Sequence, residues 1–67
     1  MDIGGKIAEI RASLGKSQRE FAELLKAKAG TISAWERGKR KPCRSMLIKL
    51  SIVAKKNKIK FNLKHFL

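Results

Sequence analysis

Cysteine, histidine and tyrosine are almost absent from this sequence of 67 residues, which contains one Cys, one His and no Tyr. A single Cys excludes an intramolecular disulfide framework and is typical of a reducing, intracellular setting. His65 has too few companions for a metal site or a catalytic triad, so we expect no metal, no cofactor and no enzyme. The lack of Tyr disfavours single-strand RNA binders, which interleave aromatic and basic residues.

Long apolar runs are also missing. None approaches ~18 residues, so no membrane partner is expected. Residues 1–5 have neither the basic start nor the apolar stretch of a signal peptide, which is consistent with a cytoplasmic protein. An apolar fraction of 43% is too high for a disordered polycation, and 67 residues suit one small core. This length leaves no room for an enclosed active-site cavity or a ligand-sensing domain, so we expect no small-molecule ligand.

Acidic residues are few and unevenly placed. The chain has 17 Lys or Arg against 5 Asp or Glu, a net charge of +12. Residues 1–36 hold all five acids beside six bases, whereas residues 37–67 hold eleven bases and no acid. Such a block is either a solvated face or a surface for a polyanion, because phosphates release counterions when Lys and Arg approach them. Charge alone does not separate DNA, RNA and anionic lipid.

Apolar residues recur with helical spacing in the first half of the chain. Spacing at i, i+4, i+7 and i+11 predicts a first helix that ends near Gly15 and buries Ile3, Ile7, Ile10 and Leu14. Ser17 and Glu20 form a capping box, in which each side chain accepts from a backbone amide near the helix start. The box predicts a second helix over residues 18–25, whose buried face contains Phe21, Leu24 and Leu25.

Two further helices follow. After a connector at residues 26–28, a third helix is predicted over residues 29–37, with Ile32 and Trp35 buried and Gly38 ending it. Residues 39–41 form a basic loop, and Pro42 prepares the start of a fourth helix over residues 44–55. The buried face of this helix is predicted to include some of Leu47, Ile48, Leu50, Val53 and Ala54.

The C-terminal segment fits two patterns. Residues 59–65 alternate between apolar and polar as in a strand, but a helical face would contain Ile59, Leu63, Phe66 and Leu67. A lone strand has no partner within the monomer, which slightly favours a fifth helix or an irregular tail. A strand would instead imply pairing with a second chain.

The second and third helices, joined by about three residues and followed by a basic loop, form a helix-turn-helix pattern. Its residues are Leu14-Gly15-x-Ser17-Gln18-x-Glu20-Phe21-Ala22-x-Leu24-Leu25, then Thr31-Ile32-Ser33-x-Trp35-Glu36-Arg37-Gly38-Lys39-Arg40-Lys41-Pro42. With these residues the chain resembles, over about residues 7–55, the Xre-type helix-turn-helix family of phage repressors, Cro-like proteins and bacterial regulators. The resemblance implies a compact all-α, lambda-repressor-like domain of four to five helices that binds double-stranded DNA.

The third helix offers a surface to the major groove. If it packs through Ile32 and Trp35, the opposite stripe contains Gly30, Ser33, Ala34 and Arg37. The resemblance assigns base reading to Lys28, Ala29, Gly30, Ser33 and Ala34. It assigns contacts with phosphate to Gln18, Thr31, Arg37, Lys39, Arg40 and Lys41, and Gln18 can also reach a base. It further implies a salt bridge between Arg11 and Glu36 that orients the third helix.

The sequence departs from the family's pattern at several positions. The connector begins with Lys26 instead of the usual Gly, which implies a strained or reshaped turn because Gly tolerates left-handed backbone. Cys43 is a weak cap where family members often have Ser. The side chains of Ala29, Gly30 and Ala34 offer no hydrogen bonds. Recognition therefore relies either on thymine methyls and DNA shape, or on phosphates with weak sequence preference.

We predict a helix-turn-helix DNA-binding domain at residues 1–57 and an apolar, basic tail at residues 58–67 that is a candidate surface for a dimer or another partner. The predicted function is sequence-specific transcriptional regulation, in the form of repression, by a homodimer on prokaryotic or phage DNA. Two alternatives remain open. One is an antitoxin whose tail neutralises a toxin while its body represses their operon, and the other is a weakly specific architectural DNA binder.

Overall fold

Five helices account for most of the chain. The computed structural model describes residues 3–66 and contains α1 (Ile3–Ser13), α2 (Gln18–Leu25), α3 (Ala29–Glu36), α4 (Arg44–Lys56) and α5 (Leu63–Phe66). Residues 3–66 contain no strand. The Cα radius of gyration is 10.5 Å, near the ~11 Å expected of a compact chain of this length. The predicted compact all-α fold is confirmed.

A single apolar core joins the first four helices. Its largest fully buried side chains are Phe21, Ile7, Ile10, Leu25, Ile32 and Leu50. Ile3 and Leu14 pack at the edge of the core, so the stripe predicted for α1 is confirmed. Trp35 is also buried, as predicted for α3. Each large apolar side chain buried in this way contributes about 1.5–3 kcal/mol, so the core is the main support of α3.

Leu24, which the sequence predicted to be buried, is exposed, and so is Ile48, one of the five candidates for the buried face of α4. Leu24 is 47% exposed and Ile48 is 41% exposed. At about 100° per residue, Leu24 lies well to one side of the direction in which Phe21 and Leu25 enter the core. Ile48 is further still from the buried side of α4, which contains Leu47, Leu50 and Ala54. The prediction for Leu24 was therefore wrong, whereas the prediction that some of the five candidate residues of α4 are buried is confirmed by Leu47, Leu50 and Ala54.

The tail folds back as a short helix. Lys58 has left-handed backbone with φ 57°, and it redirects the chain after α4. Ile59, Phe61, Leu63 and Phe66 pack half-buried against the core, and the rings of Phe61 and Phe66 stack with their centroids 5.4 Å apart. The preference for a fifth helix is confirmed, and residues 59–66 do not form the alternative strand. Leu67, the last member of the predicted helical face, lies outside the described residues.

Candidate nucleic-acid interface

The start of α2 is held by the predicted capping box. Ser17 Oγ accepts from the Glu20 N–H at 3.1 Å, and Glu20 Oε1 accepts from the Ser17 N–H at 2.9 Å. The hydrogen bond from the Ser17 backbone is the main reason that the pKa of Glu20 is lowered, because it favours the charged carboxylate. The observed bounds of α2 are those predicted from the box. α4 begins differently, since Cys43 is its N-cap and makes no side-chain cap hydrogen bond.

The turn between α2 and α3 begins with left-handed backbone at Lys26, where φ is 58° and ψ is 43°. The N–H of Ala27 donates to Ala22 O at 2.8 Å, and Lys49 Nζ donates to Leu25 O at 3.4 Å. These contacts hold the turn closed even though a side chain in this conformation costs roughly 1 kcal/mol. The strained turn predicted from Lys26 is confirmed.

The stripe of α3 opposite the core faces solvent. Ile32 and Trp35 are buried, which directs the other side of the helix outward. The structure places all five predicted base-reading residues on or beside this side: Lys28, Ala29 and Gly30 are exposed, and Ser33 and Ala34 are half-buried, as is Thr31. Lys28 is the N-cap of α3 and supplies no side-chain cap hydrogen bond. This surface has the shape that a major groove admits.

The basic loop is tied to the last turns of α3. The backbone N–H groups of Lys39 and Arg40 both donate to Ala34 O, at 2.9 Å and 3.3 Å. Gly38 has φ 76°, a conformation that lets the chain reverse directly after the helix. The four predicted phosphate-binding cations around this reversal are exposed: Arg37, Lys39, Arg40 and Lys41. The loop therefore holds a dense positive charge at a defined position beside the recognition helix.

Glu36 joins α1, α2 and α3. Arg11 donates through Nε to Glu36 Oε2 at 2.6 Å and through Nη2 to Oε1 at 3.1 Å. Gln18 Nε2 donates to the same Oε1 at 3.1 Å. Burial acts to raise the pKa of Glu36, but the hydrogen bonds from Arg11 and Gln18 and the charge of Arg11 outweigh it, and the pKa is lowered. The expected Arg11–Glu36 pair is thus present.

The partnership of Gln18 with Glu36 was not foreseen from the sequence. Gln18 was expected only to reach DNA, yet its amide contacts the ion pair that fixes α3. The distance in sequence between these residues gives no sign of the contact, which depends on how α2 and α3 cross. A contact between Gln18 and phosphate would therefore be coupled to the orientation of α3, because Gln18 is also hydrogen-bonded to Glu36.

Gly4 is a second residue that sequence reasoning missed. A Cβ built at Gly4 would lie 2.5 Å from Trp35 O and 3.1 Å from Glu36 O. Only glycine allows α1 to approach the C-terminal end of α3 this closely. A signal was available, because glycine within an apolar helical pattern costs about 1 kcal/mol against alanine and so marks close packing.

The predicted DNA-contacting residues do not line a concavity that lies between α1 and the tail. This depression of about 550 Å³ is lined by Lys6, Lys60, Phe61, Asn62, His65 and Phe66. Lys6 pairs there with Glu9 at 3.1 Å. The absence of a small-molecule ligand stays a prediction.

Among residues 3–66, no cluster of three acidic, His or Cys side chains could hold a metal ion. None of the helices there is long and apolar enough to cross a membrane.

Two short helices joined by a three-residue turn, the second with an exposed stripe and a basic loop at its end, define a helix-turn-helix DNA-binding domain. The chain belongs to the Xre-like helix-turn-helix family, because the family profile described as "Helix-turn-helix" matches residues 7–56. No curated protein and no solved structure matches the chain. Family membership identifies this protein as a DNA-binding regulator.

Proposed function

We propose that this regulator is a transcriptional repressor that recognises a specific double-stranded DNA sequence through α3 and has no enzymatic activity. The observation that carries the proposal is the pair of hydrogen bonds from the Lys39 and Arg40 backbone to Ala34 O. Because these bonds fix the loop to α3, phosphate contacts set the register in which side chains meet the bases. Repression then requires only that the bound protein occupy the promoter.

The proposed interface has two parts. The bases are read by Lys28, Ala29, Gly30, Ser33 and Ala34. Phosphates are bound by Gln18, Thr31, Arg37, Lys39, Arg40 and Lys41. Within the reading part, only Lys28 and Ser33 have side chains that can hydrogen-bond a base edge, whereas Ala29 and Ala34 can pack on thymine methyls. The phosphate part carries most of the affinity and little of the discrimination.

We propose that two copies bind a two-fold site, because one domain covers too few base pairs for useful selectivity. The candidate contact between them is the tail, residues 59–67. Its apolar side chains within residues 59–66 are only partly buried against the core and leave apolar area for a second copy. An antitoxin would present the same area to a toxin. A soluble symmetric homodimer with the tail buried would count against this alternative, whereas a co-purifying partner that protects the tail from proteolysis would favour it.

A weakly specific DNA binder is a second candidate, favoured by the small side chains of Ala29, Gly30 and Ala34. Selection of bound sequences from a random duplex pool separates it from a repressor. We expect enrichment of a palindromic site whose half-sites lie about one helical turn, roughly 10 base pairs, apart. A pool that stays random, with equal affinities for unrelated duplexes, would establish the weakly specific binder instead.

A pair of substitutions tests the two parts of the interface. Arg40→Gln should weaken binding to every duplex by a similar factor, because it removes a phosphate contact. Ser33→Ala should change the preference among duplexes, with about 1 kcal/mol or more of discrimination lost at one base position. Affinities measured on the selected site and its single-base variants decide the outcome. Unchanged affinity after Arg40→Gln would show that the loop does not face phosphate.

A further inference from the structure

Leu24, Ile48 and Ile52 form an apolar patch on α2 and α4, here called the α2–α4 patch. They are the large apolar side chains that remain exposed among the described residues, at 47%, 41% and 50%. Ile48 and Ile52 are one turn apart on α4 and therefore share a face. Leu24 and Ile52 both line a groove of about 250 Å³, together with Leu25, Lys26, Lys49 and Val53.

Neither the core nor DNA accounts for this patch. The core uses other residues of the same helices, among them Phe21, Leu25, Leu47 and Leu50. DNA phosphates offer no apolar surface to aliphatic side chains, and the proposed base-reading residues are on or beside α3. Exposed aliphatic side chains gathered around a groove are characteristic of surfaces that bind another molecule.

We propose that the α2–α4 patch docks an acidic amphipathic helix of another protein. The apolar residues of that helix would enter the groove, as in helix-in-groove recognition. Its acidic residues would face Lys26 and Lys49, the charged side chains that line the groove, which has no acidic lining residue. Lys49 donates to Leu25 O at the groove edge and keeps further donors for a carboxylate.

Charge argues against one other occupant of the groove, and shape argues against a second. A second copy of this chain seated on the same groove would bring its own Lys26 and Lys49 against the same pair. An anionic membrane could satisfy the lysines, but it fits a protruding apolar surface better than a concave groove of this size. A helix with acidic flanks satisfies both the groove and the charge. The inference is independent of which DNA sequence α3 recognises.

A charge-swap experiment with methyl-labelled protein tests the proposal. Two synthetic helical peptides have Leu at i, i+4 and i+7, and they differ only in whether Glu or Lys flanks the Leu residues. At about 150 mM salt, we expect saturable methyl shifts of Leu24, Ile48 and Ile52 with the Glu peptide. The Lys peptide should bind at least about tenfold more weakly. The double variant L24S/I52S should bind the Glu peptide about tenfold more weakly than the unchanged protein does, while it keeps the fold and the affinity for DNA.

The double variant K26E/K49E should reverse the preference between the two peptides. Its matched control is K60E/K64E, which makes the same change in net charge at exposed positions of the tail and should leave the preference as it is. Circular dichroism confirms folding of each variant. The proposal is overturned if K26E/K49E and K60E/K64E change the preference between the two peptides equally. It is also overturned if the Glu peptide causes no methyl shifts at Leu24, Ile48 and Ile52. Self-association abolished by L24S/I52S, or patch shifts only with anionic vesicles, would assign the patch to a second copy or a membrane.

Discussion

At the scale of single residues, Glu36 links α3 to both of the helices that precede it. Its side chain is 10% exposed, and it accepts two hydrogen bonds from Arg11 and one from Gln18. One carboxylate therefore connects residues from three helices. Removing it would leave the guanidinium of Arg11 without its charged partner, which costs more than replacing both members of the pair.

The lowered pKa of Glu36 makes stability depend on pH. A carboxyl whose pKa is lower in the folded chain stabilises the fold fully above its unfolded pKa, about 4.3, and this contribution is lost as pH falls through the lowered folded value. We expect Glu36→Gln to reduce the free energy of unfolding by about 1–3 kcal/mol at pH 7. The difference in the free energy of unfolding between wild type and variant should become smaller below about pH 4. Urea unfolding at several pH values measures this difference.

Glu23→Gln provides the control for this measurement, because it makes the same change at an exposed carboxylate of α2. We expect it to leave the free energy of unfolding nearly unchanged at pH 7. A gap for Glu36→Gln that is equally large at pH 7 and pH 3 would mean that the charge of Glu36 does not stabilise the fold.

At the scale of helices, the sequence predicted the elements better than their contacts. The capping box located α2 and the apolar spacing located α1, because both signals are local. Lys26 also indicated the strained turn, because a residue with a Cβ fits left-handed backbone less well than the usual Gly. The contact between Gln18 and Glu36 depends instead on how α2 and α3 cross. Such crossings follow from the packing of whole surfaces, which no local pattern contains.

Two glycine substitutions test the contact between α1 and α3. Gly4→Ala should destabilise the protein by about 1–3 kcal/mol, because its Cβ would meet the backbone carbonyl of Trp35, which has little room to move. Gly30→Ala is the matched change within α3, where an added Cβ meets nothing within 4 Å. It should stabilise the helix by about 0.5–1 kcal/mol. Thermal unfolding distinguishes the two, and a Gly4→Ala variant as stable as wild type would rule out the close approach.

At the scale of the whole molecule, almost all of the excess of basic over acidic residues lies after α3. Residues 37–67 carry eleven bases and no acid, and the first of these bases lie in the loop hydrogen-bonded to α3. The other bases are spread over α4 and the tail. Their contribution to DNA binding depends on position rather than on number, because screening confines each charge to about 8–10 Å.

The salt dependence of DNA binding measures this difference. The triple variant K39Q/R40Q/K41Q should reduce the slope of log affinity against log salt by about 0.9 for each phosphate contact removed. K58Q/K60Q/K64Q removes three charges from the tail region and should change the slope less. Fluorescence anisotropy between about 50 and 200 mM salt gives both slopes. Equal slopes for the two variants would show that the loop has no special place in the interface.

The residues of α3 that hold the fold together are different from those proposed to contact DNA, because they lie on opposite sides of the helix. Ile32 and Trp35 hold the helix in the core, whereas Ala29 and Gly30 on the other side are exposed. Mutations at these two outer positions can therefore be accepted without rebuilding the protein. If α3 reads bases as proposed, one or two such mutations would change the DNA sequence that a duplicated copy of this chain prefers. Because Ala29 and Gly30 are small, a larger side chain at either position would add a contact to the proposed interface.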